Sequence, residues 1–345
     1  MNYSTGSFNV TTSLPTNVTT ATSNTLASTE EDSNRLLIFQ ILLYIIDVAI
    51  IAGNSFVIWL VVRKKSLHTV TNMLLVSLAI SDLMVGIAVI PSFVACFHVE
   101  CDAVLAKMVY DYFLFVSVAN LCAITVDRYT AVMHPLRYPN KMTPVAAIRV
   151  IAIAWIVPLI LSILPISWTY SSTSQENRDL ANKVFYTIQV LFFVLTPCCL
   201  MLWAYFKIFK EAIKQARRIH AETGYVSESV NGGRTLSPSE ARNAIKVFGT
   251  VVAFFVFCWS ISAYRTFVIY FKLLERVDPD VTMASRVLLV GNSAVNPVFY
   301  SLWKKDVRRE VERLFVGRRR NVTHPATSAE NPSFVITQQA ATLGN

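Results

Sequence analysis

The chain has 345 residues, of which 54% are hydrophobic and only 15% are charged. Ordinary soluble domains carry about 25% charged residues, so this chain has too few to cover a water-facing surface of its size. Its apolar residues come in long blocks, and its net charge of +9 is concentrated in connecting segments and in the C-terminal tail. The composition therefore excludes a soluble globular protein and a nucleic-acid-binding protein, and it indicates a membrane protein.

Seven apolar stretches follow one another along the chain, and each is long enough for a bilayer core that needs about 20 mainly apolar residues per helix. They are Leu36–Val62, Val70–Phe97, Met108–Val126, Val150–Tyr170, Val184–Phe206, Val247–Tyr264 (continuing past Arg265 to Phe271) and Val281–Trp303. Several contain prolines, which membrane helices tolerate better than soluble helices do. The sequence therefore predicts an all-α membrane protein whose termini lie on opposite sides of the bilayer.

Lysine and arginine mark the cytoplasmic side of a multi-pass protein. They are abundant after the first stretch and in segments 207–246 and 304–320, whereas residues 1–35 contain one arginine against three acidic residues. The same N-terminal segment carries three N-x-Ser/Thr glycosylation sequons, at Asn2, Asn9 and Asn17. We therefore expect a plasma-membrane protein with an extracellular, glycosylated N-terminus and a cytoplasmic C-terminus.

Short motifs occur in a fixed order, one in each stretch. They are Gly53-Asn54, Leu78-Ala79-Ile80-Ser81-Asp82, Asp127-Arg128-Tyr129, Trp155, Pro197 with Tyr205, Cys258-Trp259, and Asn296-Pro297-Val298-Phe299-Tyr300. Over roughly residues 36–315 this series resembles the rhodopsin-like (class A) G-protein-coupled receptors, with features of the amine and adenosine-type receptors. The resemblance implies a seven-transmembrane helix bundle with a short amphipathic eighth helix.

The resemblance also implies a domain organisation and a function. The expected segments are an extracellular tail (1–35), a receptor domain (36–303), an amphipathic juxtamembrane helix (304–316) and a cytoplasmic tail (317–345). The implied function is a cell-surface receptor that binds a small amine-like or adenosine-like ligand and activates a heterotrimeric G protein, with arrestin and a receptor kinase as further partners. A peptide or lipid receptor of the same class and a seven-span transporter stay open as alternatives. An enzyme is not expected, because all five histidines lie outside the span interiors.

Two groups of residues take roles from the resemblance. Those implied in activation and G-protein coupling are Asp127, Arg128, Tyr129, Tyr205, Trp259, Asn296, Pro297 and Tyr300. An arginine at a helix end can also simply reach the polar interface, so a purely structural role for Arg128 stays open. Those implied in binding an allosteric sodium ion through oxygen atoms are Asp82, Ser117, Asn292, Ser293 and Asn296. The alternative is a carboxylate hydrogen-bonded to Asn54 and Asn296, and no other cofactor is expected.

The ligand contacts predicted for the outer half are Tyr110, Asp111, Gln189, Trp259 and Arg286. Amine receptors of the family place an aspartate eighteen residues before the arginine of the third-stretch motif, where this chain has Tyr110. Asp111 follows, but one residue turns a side chain by about 100° around a helix, towards a neighbouring helix. Three interpretations stay open: Arg286 pairs with Asp47 or Asp111 to lock the bundle, it contacts a small polar ligand, or Asp111 alone binds an amine.

The chain departs from the family pattern in three places. Residues 168–184 contain no cysteine, so the usual disulfide between the third helix and the second outer loop cannot form. Cys96 and Cys101 either pair with each other across the first outer loop or stay free thiols. Ile261 stands where the family usually has a proline, and Val290 stands where light-sensing opsins carry the retinal lysine. The last departure excludes a retinal-linked photoreceptor.

Overall fold

The structure, a computed structural model, describes residues 17–96, 98–223, 238–273, 277–303 and 307–314. These residues contain eight principal helices. They are α1 (Asn17–Arg63), α2 (Val70–Ala95), α3 (Ala103–Met133), α4 (Pro144–Ile163), α5 (Gln175–Val190, continuing through Leu191–Leu195 and Thr196–Thr223), α6 (Pro238–Phe271), α7 (Pro279–Trp303) and α8 (307–314). Short helical turns at Lys65–Leu67, Tyr138–Lys141 and Ile166–Thr169 lie in the connections.

Six of these helices are long and apolar enough to cross a membrane. The six spans are Ser33–Arg63, Val70–Ala95, Val104–Met133, Pro144–Thr169, Gln175–Glu211 and Val252–Phe271. Helix α7 has 25 residues, which is also enough to cross a bilayer core, but Arg286, Asn292 and Asn296 make it less apolar. Both asparagines are buried inside the bundle, so they do not have to face lipid.

Six of the seven spanning helices begin earlier than the apolar stretches predicted, and α1 and α3 show two reasons for it. Helix α1 begins at Asn17 rather than near Leu36, because the intervening Ser, Thr, Ala and Glu residues include no proline or glycine that would end it. Helix α3 begins at Ala103, where Asp102 caps it: Oδ1 of Asp102 accepts hydrogen bonds from the backbone N–H groups of Val104 (2.8 Å) and Leu105 (3.2 Å). Such a cap satisfies donors that have no partner within the helix.

Helix α3 lies at the centre of the bundle and packs against α2, α4 and α5, while α7 packs against α1 and α6. The outer surface is apolar: Ile45, Val48 and Ile153 are each more than 60% exposed. The buried groups include polar side chains such as Asn54 and Asn120. Polar groups inside and large apolar side chains outside are the distribution expected of a bundle surrounded by lipid.

Proline shapes the outer halves of α2 and α5. Each contains one π-helical turn, Val85–Val89 in α2 and Leu191–Leu195 in α5. Pro91 and Pro197 follow these turns. A proline has no N–H and its ring clashes with the carbonyl four residues earlier, and a π-turn is one way for a helix to accommodate this. Each turn changes the angular position of the side chains beyond it.

Helix α8 packs against the cytoplasmic end of the bundle. Val307 is fully buried in a small apolar cluster with Leu60, Leu67 and other residues of α1 and α2. Glu310 is also buried; its carboxylate accepts a hydrogen bond from Arg313 (2.6 Å) and lies 3.6 Å from Nζ of Lys64. The described part of the predicted juxtamembrane helix is therefore held by both apolar and ionic contacts.

Candidate functional site

A cavity of about 1020 Å³ opens at the end of the bundle that carries residues 96–102. Its walls come from α2, α3, α6 and α7 and include Phe93, Lys107, Tyr110, Asp111, Arg265, Tyr270 and Arg286. A smaller cavity of about 50 Å³ shares part of this lining and adds Gln189 of α5 and Trp259 of α6. The structure thus brings all five predicted ligand contacts to these two adjoining cavities.

The rim of the cavity is held by two cross-links. Cys96 and Cys101 form a disulfide with a Cα–Cα distance of 5.5 Å, so of the two sequence alternatives the structure has the bonded one. Residues 170–174 connect the short helix Ile166–Thr169 to α5, and the hydroxyl of Tyr170 donates a hydrogen bond to Asp102. That bond and the two N–H groups at the start of α3 hold the pKa of Asp102 below its ordinary value.

Asp111 is the carboxylate that faces the cavities. Its Oδ2 accepts hydrogen bonds from Nζ of Lys107 (2.6 Å) and from Nε2 of Gln189 (3.3 Å), so the side chain turns towards α5 as the helical offset predicts. Tyr110 nonetheless lines the same two cavities. Adjacent positions of α3 therefore both contribute to the site.

The described residues contain no ion pair between Arg286 and either Asp47 or Asp111, so the predicted lock of the bundle is wrong. The guanidinium of Arg286 instead lies 4.4 Å from the ring centroid of Phe93, a cation–π contact. Asp47 faces Gly86: a Cβ on that glycine would lie 3.0 Å from Oδ1 of Asp47. Asp47 thus lies against α2, and Asp111 pairs through Oδ2 with Lys107 of its own helix rather than with Arg286.

The floor of the smaller cavity is aromatic. Trp259 is 4% exposed, with its ring 6.0 Å from that of Phe115 and 5.7 Å from that of Phe255. Phe115 stacks on Phe193 of α5 at 4.2 Å between centroids. Helices α3, α5 and α6 therefore meet through one group of rings. Helix α6 runs without interruption past Ile261, the position where the family usually has a proline.

A polar network surrounds Asp82 in the middle of the bundle. Asp82 is fully buried, and its two carboxylate oxygens accept hydrogen bonds from the hydroxyl of Ser117 and from Nδ2 of Asn296, both at 2.7 Å. Asn54 donates to the backbone carbonyl of Ser293 at 3.3 Å, and not to Asp82. The predicted Asn296 contact is present, whereas the predicted Asn54 contact is wrong because the side chain turns along α1 towards α7.

A second network lies at the cytoplasmic end of α3. Asp127 is fully buried; its Oδ2 accepts from Nη2 of Arg128 at 2.6 Å and from the hydroxyl of Thr71 at 3.0 Å. Its Oδ1 accepts from the hydroxyl of Tyr138 at 2.8 Å, and Arg128 also donates to Thr71. Burial raises the pKa of Tyr138, with smaller contributions from Asp127, so this hydroxyl stays a donor at neutral pH.

The remaining predicted activation residues are distributed around this end. Tyr129 packs on Trp203 of α5 at 4.9 Å between centroids, and Tyr205 stacks on Phe209 at 6.3 Å. Pro297 lies inside α7, where its ring would be 3.0 Å from a Cβ on Gly53 of α1. The side chain of Tyr300, the sequons at Asn2 and Asn9, and the tail 317–345 lie outside the described residues; Asn17 is the first residue of α1.

Comparison with known families assigns the fold. Residues 53–300 match the model of the 7 transmembrane receptor (rhodopsin family), and this match covers more than half of the chain. The chain belongs to this family. It is therefore a multi-pass receptor of the plasma membrane that couples to G proteins, and it is not an enzyme. The predictions of family, fold class and receptor function made from the sequence motifs are confirmed.

Named relatives place the receptor near amine receptors. The octopamine receptor beta-2R of Chilo suppressalis is 30% identical over 311 residues, covering 78% of this chain and 76% of the relative. The histamine H2 receptor of Homo sapiens is 30% identical over 306 residues, covering 84% and 82%. The octopamine receptor beta-1R of Drosophila melanogaster is 27% identical over 305 residues, covering 76% and 58%.

Four residues at the cavities and at the cytoplasmic network were not predicted from the sequence. Lys107 and Tyr270 line the outer cavity, Arg265 lines both cavities, and Tyr138 holds Asp127. Arg265 carried a usable signal, because a charged residue inside an apolar stretch is costly and commonly functional. Lys107 adjoins an apolar stretch and Tyr138 lies in the connection between two of them, where basic and aromatic residues are ordinary.

Proposed function

We propose that the receptor is activated by a small ligand with a protonated amine, which binds in the outer cavity and pairs with Asp111. The observation that carries this proposal is the state of the Asp111 carboxylate. In the described part of the chain both of its hydrogen bonds go to Oδ2, and the side chain keeps 13% exposure in two adjoining cavities. Oδ1 is thus available to a cation, and the names of the relatives, octopamine and histamine receptors, support an amine.

The shape of the site supports a ligand that reaches inwards from Asp111. The smaller cavity leads from Asp111 to Phe115 and Trp259, so a short apolar end of the ligand would have aromatic partners there. Contact with these rings would alter the packing between α3, α5 and α6. We expect this change to reach the Asp127–Arg128 pair, which holds the cytoplasmic end of α3 in the described state.

The proposal is tested with the full-length receptor in cells that report cyclic AMP and calcium. A panel of biogenic amines, nucleosides, lipids and peptides identifies an agonist, and the agonist is then applied to Asp111→Asn. We expect its potency to fall by about tenfold to a hundredfold, because one charge-assisted hydrogen bond is lost.

Asp179→Asn is the matched control, because Asp179 pairs with Lys272 at the outer surface and lies outside both cavities. It should leave the potency unchanged. Undiminished potency of an amine agonist on well-expressed Asp111→Asn would remove the pairing role.

The network around Asp82 supports a sodium site inside the bundle. Asp82, Ser117, Asn292, Ser293 and Asn296 all carry side-chain oxygens and are all less than 9% exposed. Hard cations take such oxygen ligands, and a buried carboxylate supplies the compensating charge. These residues fit sodium, which would supply a positive charge there. In the structure, the Asp82 carboxylate accepts hydrogen bonds from Ser117 and Asn296.

We also propose that a receptor kinase and arrestin act on the cytoplasmic tail. The candidate hydroxyls are Thr323, Thr327, Ser328, Ser333 and Thr337, with Ser237 in the connection between α5 and α6. All lie outside the described residues. Each phosphate would add about −1.5 to −2 charge beside basic residues, which is the kind of change that a phosphate-reading partner detects.

A further inference from the structure

The charges of the outer cavity do not balance among the described residues. Lys107, Arg265 and Arg286 line it as three cations, against two carboxylates, Asp111 and, exposed at the rim, Glu100. Lys107 pairs with one oxygen of Asp111, Oδ2, at 2.6 Å, so neither of the two arginines holds this carboxylate. Two guanidinium groups, on α6 and α7, therefore have no described acidic partner.

Unsatisfied donors gather in the same place. Nε of Arg265 and the hydroxyl of Tyr110 are both buried without a hydrogen-bond partner among the described residues. Arg286 has its contact with the face of Phe93, which attracts a cation but takes no hydrogen bond. A buried charge or donor inside a membrane protein that has no partner is costly, so such a group is commonly kept for a ligand.

These three side chains come from three different helices and line one cavity: Tyr110 from α3, Arg265 from α6 and Arg286 from α7. Two guanidinium forks and a hydroxyl are the donors that suit a carboxylate, whose two oxygens match the planar guanidinium. A cavity of about 1020 Å³ is large enough to hold such a group together with an amine at Asp111.

We propose that the ligand also carries a carboxylate, held by Arg265, Arg286 and Tyr110. This inference rests on the proposed function, because the amine of the same ligand pairs with Asp111. The ligand is then an amphoteric molecule of the amino-acid class rather than a simple amine. Its amine would meet Asp111 of α3, and its carboxylate would meet Tyr110 of the same helix together with the arginines of α6 and α7.

The experiment compares matched pairs of compounds on the full-length receptor. Each pair consists of an amino acid and its decarboxylated amine, for example tyrosine with tyramine and histidine with histamine, across the standard amino acids. Activation is read by cyclic AMP and calcium, and binding by the unfolding temperature of the detergent-purified receptor. For the pair that binds best, we expect the carboxylated member to be more potent by at least about tenfold.

The variants Arg265→Gln and Arg286→Gln assign the effect to the two arginines. Each should lower the potency of the carboxylated compound by at least about tenfold and leave that of its decarboxylated partner nearly unchanged. Arg35→Gln is the matched control, because Arg35 pairs with Asp280 at the outer surface and does not line the cavity. The ligand-free unfolding temperature of each variant shows whether it is folded.

The outcomes separate this inference from the proposed function. If the simple amines are equally or more potent and still depend on Asp111, the carboxylate site is wrong and the amine receptor stands. If acids that lack an amine activate through the arginines while Asp111→Asn has no effect, the carboxylate site stands and the amine pairing is wrong. A panel in which no carboxylated compound activates or stabilises the receptor contradicts the inference.

Discussion

At the scale of single residues, two fully buried aspartates of the receptor, Asp82 and Asp127, have different surroundings. Asp82 receives neutral donors only, a hydroxyl and an amide. Asp127 receives a guanidinium as well as two hydroxyls, from Thr71 and Tyr138. The first carboxylate therefore has no cationic partner among the described residues, whereas the second is paired with its neighbour in the chain.

The first prediction concerns Arg128. We expect Arg128→Ala to abolish or strongly weaken G-protein activation while ligand affinity is kept within about threefold, because the residue lies at the opposite end of α3 from the cavity. Nucleotide exchange on the G protein and radioligand binding measure the two properties. Arg137→Ala, an exposed arginine of the following connection, is the control and should signal normally. Full signalling by well-expressed Arg128→Ala would show that the residue is structural.

The second prediction concerns Asp82. Sodium should lower agonist affinity in the native receptor. An ion beside Asp82 would favour the described arrangement, in which Ser117 and Asn296 surround this carboxylate, over the arrangement that an agonist favours. Asp82→Asn should abolish this sodium dependence, because the amide removes the negative charge that compensates the ion. Agonist competition curves with and without sodium chloride, balanced by a larger cation, measure the effect. The absence of a sodium effect in both the native receptor and Asp82→Asn would contradict the proposed sodium site.

At the scale of helices, contacts between α1 and α7 depend on one small residue. A Cβ at Gly53 would lie 3.0 and 3.1 Å from two ring carbons of Pro297, which is tighter than ordinary packing and cannot relax easily against a proline ring. Gly291, in α7, has nothing within 4 Å of the equivalent Cβ position. The same substitution should therefore have opposite effects at the two sites.

The third prediction follows from this pair. Gly53→Ala should destabilise the receptor by about 1–3 kcal/mol through overpacking. Gly291→Ala should be neutral or slightly stabilising, because alanine favours the helix more than glycine does. The midpoint of thermal unfolding of the purified receptor is the measurement, and equal midpoints for the two variants would contradict the argument.

The sequence was enough to predict which segments form helices, but not how each helix is rotated about its axis. The long apolar stretches and the polar motif in each were enough to predict the bundle and the burial of Asp82. A helix that crosses a membrane needs a long run of apolar residues, and such a run can be recognised in the sequence. The meeting of Arg265 with Arg286 could not be predicted, since it depends on the rotation of two helices about their axes. The π-turn in α2, and the one in α5, add further rotation that an apolar stretch does not reveal.

At the scale of the whole molecule, the receptor has an outer cavity, a buried polar centre and a cytoplasmic pair joined by the single helix α3. Tyr110 and Asp111, Ser117, and Asp127 lie along it in that order. Any ligand that shifts α3 relative to its neighbours therefore acts on all three levels. This continuity is the physical basis for coupling an extracellular compound to a cytoplasmic partner in this chain.

The fourth prediction concerns the tail. Truncation after Arg320 should reduce agonist-dependent arrestin recruitment strongly, because it removes the candidate tail hydroxyls and with them the phosphate charge that arrestin would read. G-protein activation should be unchanged, since α8 and the bundle are kept. Arrestin recruitment that survives the truncation would exclude the tail from this role.

The outer rim has a kinetic consequence. Only residues 170–174 join the short helix Ile166–Thr169 to α5, and the Cys96–Cys101 bridge ties the first outer connection to itself rather than to this one. No described segment of the second connection is thus long enough to fold over the cavity, and its anchors include the Tyr170–Asp102 hydrogen bond and two hydrogen bonds from Arg178 of α5. Bound compounds should leave without waiting for a cover to open. We therefore expect the receptor's responses to decay rapidly once ligand is removed by exchange of the surrounding fluid.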